Sequence, residues 1–356
     1  MTRGVVRFCL IWFLLSRAVF LVPAYTVFYS SPKPPAPPGY VEGFQGPLDR
    51  RPLNVLFYYD ATHYLRIARE GYSRDESPWY PLYPLLIRVL GGTAASAVAV
   101  SNAAFFLGLL GLYRLGGGRA VVLASVSPLG IVFSSAYSES LFFCLAIWAL
   151  ALGGRPVLRG VLCGLAALSR PPGLALVLLS LADLLRRRSP ADVAASVLAL
   201  AGAAAFPLYL WERFGTPFVG AEVNAAIASR SLEPFWWGPT RDIWRVLSGG
   251  FPADRVPHVA FNLLLGLGWI CFGAAGPGRV AAAAYAAAVL SFPVHWIAPW
   301  PPATHGLLRY ACAWPGSYLG LARLLRSRAA FAAAAAGSAC AGAVVAVVVA
   351  CKGFLF

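Results

Sequence analysis

Charge is what this sequence has least of: Asp, Glu, Lys and Arg make up 12% of its 356 residues, roughly half the share of an ordinary soluble domain. Lysine is almost missing, with Lys33 and Lys352 the only two, so the 29 basic residues are nearly all Arg, set against 14 acidic ones. There is no CxxC pair and no Gly-rich phosphate loop. The first absence leaves no disulfide framework and no standard metal-ligand spacing, and the second leaves no seat for a nucleotide. A net charge of +15 raises the question of nucleic acid, but the Arg residues sit in short clusters between apolar runs and form no basic face, so no nucleic-acid partner is expected. The seven cysteines (Cys9, Cys144, Cys163, Cys271, Cys312, Cys340 and Cys351) lie in or beside apolar segments and are expected to be small buried hydrophobes.

Apolar length is what the sequence has in abundance. Hydrophobic residues make up 59% of the chain, mean hydropathy is +0.68, and runs long enough to cross a bilayer recur from end to end. The fold class that follows is all-α: a polytopic transmembrane helical protein, one domain over residues 1–356, with roughly 9–11 membrane segments. A retained first span is expected over 4–29, followed by segments near 92–113, 120–136, 138–153, 157–169, 171–185, 191–212, 258–275, 280–297, 309–322 and 329–351. Arg3/Arg7, Arg114/Arg119, Arg155/Arg159, Arg186/Arg187/Arg188, Arg279 and Arg323/Arg326/Arg328 punctuate these runs, as cytoplasmic loops do under the positive-inside rule. Asp183 and Asp192 then fall inside and Glu139 in or near the membrane, while the other eleven of the 14 acids fall outside.

Two long outside loops result, one from about residue 30 to 80 and one from about 213 to 257. The first begins with Ser31-Pro32-Lys33-Pro34-Pro35-Ala36-Pro37-Pro38, an extended tether. Next, Tyr59, His63, Ile67 and Glu70 or Gly71 keep helical spacing, which predicts a short amphipathic helix on the membrane with Asp60 at its N-cap. The second carries Phe235-Trp236-Trp237-Gly238-Pro239, better read as an interface anchor than as a sugar platform. A third outside region holds His295-Trp296, His305, Arg309 and Tyr310.

The chain reads Tyr59-Asp60-Ala61-Thr62-His63-Tyr64, then Ile67-Ala68-Arg69-Glu70-Gly71-Tyr72, Pro81-Leu82-Tyr83-Pro84, Ser127-Pro128 and Phe133-Ser134-Ser135-Ala136-Tyr137-Ser138-Glu139-Ser140. In this order the motifs resemble the PIG-V family, the GPI mannosyltransferase 2 type, and its prokaryotic relatives. The resemblance spans about residues 10 to 175 and extends weakly to Leu308-Arg309-Tyr310. It departs where Tyr59 stands in place of the usual Trp before the Asp, and in its shorter loops. It implies a GT-C class glycosyltransferase that takes a sugar, mannose above all, from a polyprenyl- or dolichyl-phosphate donor. The acceptor would be a glycolipid or glycan on the non-cytoplasmic side, and Asp60 falls on the family's essential carboxylate. The low Lys usage points to a prokaryotic relative in a plasma membrane; a eukaryotic one would sit in the endoplasmic reticulum membrane.

Chemistry agrees with that placement, because an acceptor hydroxyl must lose its proton as it attacks the anomeric carbon and a carboxylate in reach takes it. The alternative for Asp60 is a plain helix cap. His63, at i+3, can share a face with Asp60 and meet the same substrate, or be a polar interfacial residue. Glu139 either binds a sugar hydroxyl or closes a buried ion pair with Arg170 or Arg17. Arg170, in Leu168-Ser169-Arg170-Pro171-Pro172-Gly173, stands at a helix break suited to a lipid phosphate, or snorkels from a hairpin tip. Arg309 and His305 are further candidates for the phosphate, with Arg17 behind them. No cofactor is expected; a divalent metal held by Asp60, His63 and Glu139 lacks standard ligand spacing. The rival reading is a transporter or lipid flippase, whose polar groups would gather at the midplane in two related halves; no halves are detectable.

Overall fold

The computed structural model describes residues 2–30, 52–228, 234, 236–253, 256–274, 279–290 and 306–350. Among them there are fifteen α-helices and no strand: α1 Arg3–Ser30, α2 Asp60–Glu70, α3 Leu82–Val89, α4 Ala94–Ser125, α5 Glu139–Ala151, α6 Pro156–Ser169, α7 Leu174–Arg187, α8 Pro190–Phe214, α9 Val219–Ala228, α10 Trp237–Leu247, α11 Val256–Ala274, α12 Arg279–Leu290, α13 Leu307–Ala313, α14 Pro315–Leu324 and α15 Arg328–Ala350. Four of them (α1, α4, α8 and α15) are long and apolar enough to cross a membrane; the 28 residues of α1 span about 42 Å against a hydrocarbon core of about 30 Å. Leu10, Ile11, Leu14 and Val22 of α1 and Val193, Val197 and Leu200 of α8 are exposed. Apolar side chains spread around such helices face lipid rather than water. The chain is an all-α, polytopic membrane protein.

Small residues bring the bundle together. Gly160 and Gly164 of α6 pack on Ala195, Leu198, Ala199 and Gly202 of α8 so closely that a Cβ at Gly160 would come 2.3 Å from the Ala195 carbonyl oxygen. In lipid, where burial of apolar surface gives helices little reason to associate, this close approach of backbones is a main source of adhesion. The Arg-rich turns gather at one end: Arg119 donates to the carbonyls of Leu325 and Arg326, Arg187 to that of Gly153, and Arg159 pairs with Asp183.

The span expected over 120–136 is corrected. Helix α4 is broken at Gly117 (φ 64, ψ −165), a conformation glycine adopts readily, and ends at Ser125. Residues 126–138 then run as non-helical, fully buried backbone up to α5. Such a segment survives inside a membrane protein only if its polar groups are met by protein. Asn102 donates to the Ser134 carbonyl, Arg17 and Ser140 to that of Phe133, Ser101 to that of Tyr137, and Ser338 to that of Val126. The Ala136 amide is spent on the Leu56 carbonyl. The segment expected over 309–322 is likewise two helices, α13 and α14, divided at extended Trp314, with Pro315 opening α14. Cys9, Cys163 and Cys312 are buried as expected, but Cys271 and Cys340 are exposed on apolar helices, because the outer face of a span tolerates the same side chains as its interior. Cys351, the proline tether and His295-Trp296 lie outside the described residues.

Candidate functional site

The unwound segment, the start of α2, the break after α6 and the start of α13 meet at the end of α5 and α6 away from the Arg-rich turns. Helix α2 is not capped by Asp60. Tyr59 holds the cap with φ 44 and ψ −113 and makes no side-chain capping bond, a strained backbone for a non-glycine residue. The carboxylate of Asp60 is thereby turned away from the helix amides. The helix is amphipathic as expected, and its apolar face packs inward: Ala61, Tyr64, Ile67 and Ala68 are buried in the protein, and the Tyr64 hydroxyl meets Ser138 Oγ at 2.7 Å.

Asp60 Oδ2 accepts from Arg309 Nη1 at 2.8 Å and Oδ1 accepts from Trp79 Nε1 at 3.1 Å. Arg309 Nε stands 3.2 Å from Glu139 Oε1, which lies 2.6 Å from Arg170 Nη1. Asp60, Arg309, Glu139 and Arg170 thus form one chain of alternating charge, two anions and two cations. Exposure falls along it from 24% at the Asp60 side chain to 2% at Glu139, so the base candidate sits at the more open end. Both guanidiniums lie over the ring of Tyr310, at 4.9 Å for Arg170 and 5.1 Å for Arg309. The Tyr310 backbone is fixed in turn by Tyr285, whose hydroxyl donates to its carbonyl at 2.6 Å.

Burial pushes the Asp60 carboxyl up, but the Arg309 charge and the Trp79 hydrogen bond outweigh it and hold the group below its ordinary value of 3.8. Asp60 is therefore ionised across the neutral range. Two of the carboxylate's roughly four lone-pair positions are taken, which leaves room for an acceptor hydroxyl.

Of the residues singled out from sequence, Asp60, Glu139, Arg170 and Arg309 come together. The buried ion pair is the arrangement found for Glu139, with Arg170 and not Arg17 as partner; Arg17 bonds Asn102 and the Phe133 carbonyl and supports the unwound segment. His63 lies near enough to Asp60 to favour its ionised form. Its ring stacks on Trp79 and its Nδ1 meets Glu76. His305 lies outside the described residues. Trp236 and Trp237 are half exposed, at 56% and 50%. Among the described residues no three His, Cys, Asp or Glu side chains converge as metal ligands, and Arg309 stands between Asp60 and Glu139. Glu76, Trp79 and Tyr285 escaped the sequence reading; the one signal for the first two was a turn of Ser77-Pro78-Trp79-Tyr80-Pro81 running into the Pro-Leu-Tyr-Pro motif.

The chain is similar to human GPI alpha-1,6-mannosyltransferase 2, with 30% identity over 177 residues. The match covers 42% of this chain and 35% of the human protein, so the chain spans about a third of that relative's length. No family model matches the chain, and no solved structure does.

Proposed function

We propose that this protein is an integral membrane mannosyltransferase that moves one hexose, mannose, from a polyprenyl- or dolichyl-phosphate donor to a glycolipid or glycan acceptor on the non-cytoplasmic side. The observation that carries the reading is an ionised carboxylate, Asp60, anchored 2.8 Å from Arg309 beside a second guanidinium, Arg170, at the end of the bundle opposite the Arg-rich turns. The similarity to a mannosyltransferase supplies the sugar. In the reaction, the acceptor oxygen attacks the anomeric carbon and the bond from that carbon to the phosphate oxygen breaks. Its electron pair leaves with the polyprenyl phosphate, and the acceptor proton passes to Asp60. Arg170 and Arg309 face the charge that builds on the leaving phosphate, the role to which a planar guanidinium is suited. A single displacement inverts the centre, so a β-linked donor yields an α-linked product.

The test is reconstitution in liposomes with polyprenyl-phosphate [³H]mannose and a lipid extract. Labelled, α-linked mannosyl product is expected, with none from a nucleotide-linked mannose. Label crossing the bilayer with no product formed, across donors of several sugars, would instead favour translocation.

A further inference from the structure

The proposed transfer needs a carboxylate that is aimed as well as ionised, and Arg309 fixes only one of its oxygens. The other is held by a set of side chains with no part in the ion-pair chain. Trp79 Nε1 donates to Asp60 Oδ1 at 3.1 Å. The indole lies flat on the His63 ring, with centroids 3.6 Å apart and 9° between the planes, which fixes the direction in which its N–H points. His63 Nδ1 is 2.7 Å from Glu76 Oε2; an ionised carboxylate only accepts, so Nδ1 is the donor. Glu76, only 1% exposed, takes Arg66 Nη1 on its other oxygen at 2.7 Å. The backbone closes the unit, with the Trp79 amide donating to the Glu76 carbonyl and the Tyr72 hydroxyl donating to the Trp79 carbonyl.

We propose that Glu76, His63 and Trp79 are positioning residues, a chain that holds one oxygen of Asp60 through the Trp79 N–H while Arg309 holds the other. This deepens the transferase reading and rests on it for its purpose, but not for its geometry. His63, three residues after Asp60, acts through the indole and not on the substrate. Glu76 is buried because its task is to hold that imidazole and Arg66 at once.

The test reads the state of Asp60 directly. A hydrophobic carbodiimide labels carboxyl groups in their protonated form, and peptide mass spectrometry of the full-length protein in detergent gives the rate at Asp60. Other groups around Asp60 are Arg309 and Tyr310 of α13, Arg170 at the helix break, Glu139 and Tyr137 at the start of α5, and Tyr58, His63 and Tyr64 on either side of it; Trp79→Phe changes none of them. Loss of one hydrogen bond to a charged group raises the carboxyl by roughly one pH unit. At a fixed pH above 5, Trp79→Phe should therefore label Asp60 about tenfold faster than wild type. Glu76→Gln and His63→Phe should label it faster by a smaller factor. In the transfer assay the same variants should lower kcat with KM retained, and the acid limb of kcat/KM should move to higher pH. Should Trp79→Phe fail to fold, the other two carry the test. Wild-type labelling rates in folded Trp79→Phe, or in both Glu76→Gln and His63→Phe, would overturn the chain. If the labelling rates rise as stated while the wild type transfers no sugar from any donor, the chain stands and the transferase reading falls.

Discussion

At the scale of single residues, the site is a balance of buried charge. Glu139 lies between two guanidiniums with 2% of its side chain exposed, and removing one member of such a set leaves a cation without compensation in a medium that cannot solvate it. Glu139→Ala is expected to lower stability by about 3–5 kcal/mol, read as an earlier thermal midpoint in detergent. A loss below about 1 kcal/mol would mean that the pairs are screened as at a surface. Glu139 was legible in the sequence because an ionisable group in an apolar run is costly and rarely idle, Asp60 through the family-like motif that surrounds it, and Arg170 and Arg309 as cations suited to a lipid phosphate. Their connectivity was not: the choice between Arg170 and Arg17 as the partner of Glu139 depends on tertiary packing, and both stood equally open. Trp79 and Glu76 were hidden for a different reason. In a loop rich in aromatics and acids nothing marks one Trp or Glu, and their roles arise only when the turn folds back onto α2.

At the scale of elements, close helix contact and one unwound segment shape the bundle. The Gly160 and Gly164 face of α6 meets the backbone of α8, so a larger side chain there must separate the helices. Gly160→Leu is expected to lower stability by about 1–3 kcal/mol or more, whereas Gly268→Leu on α11, where nothing lies within 4 Å of an added Cβ, should be neutral or slightly stabilising. Equal thermal midpoints for the two variants would show that the α6–α8 contact contributes little. Most helices were readable from apolar length alone. The stretch over 126–138 was not, because Val126, Leu129, Ile131, Val132 and Phe133 are as apolar as a span. Its serines look in sequence like small residues of a helix interface, and most of the side chains that meet its carbonyls, Arg17, Ser101, Asn102, Ser140 and Ser338, lie outside it. The strained Tyr59 could not be foreseen at all, since nothing in an aromatic pair before an Asp announces a positive φ.

At the scale of the whole molecule, the two ends of the bundle differ in kind. Helices α5 and α6, of 13 and 14 residues, place about 20 Å between the Arg-rich turns and the chain from Asp60 to Arg170. Arg clusters mark the cytoplasmic face of a membrane protein, so on the proposed topology the site opens to the other side. The proposed lipid-linked donor fits that side of the membrane. The central claim is that Asp60 takes the acceptor proton in that setting. The most direct measurement is mannosyl transfer from polyprenyl-phosphate [³H]mannose in liposomes, comparing wild type with Asp60→Asn after matched thermal midpoints establish that both are folded. Asn keeps the shape and one acceptor oxygen but cannot take a proton, so transfer is expected to fall by about 10²–10⁴-fold. Transfer by Asp60→Asn at the wild-type rate would contradict the assignment.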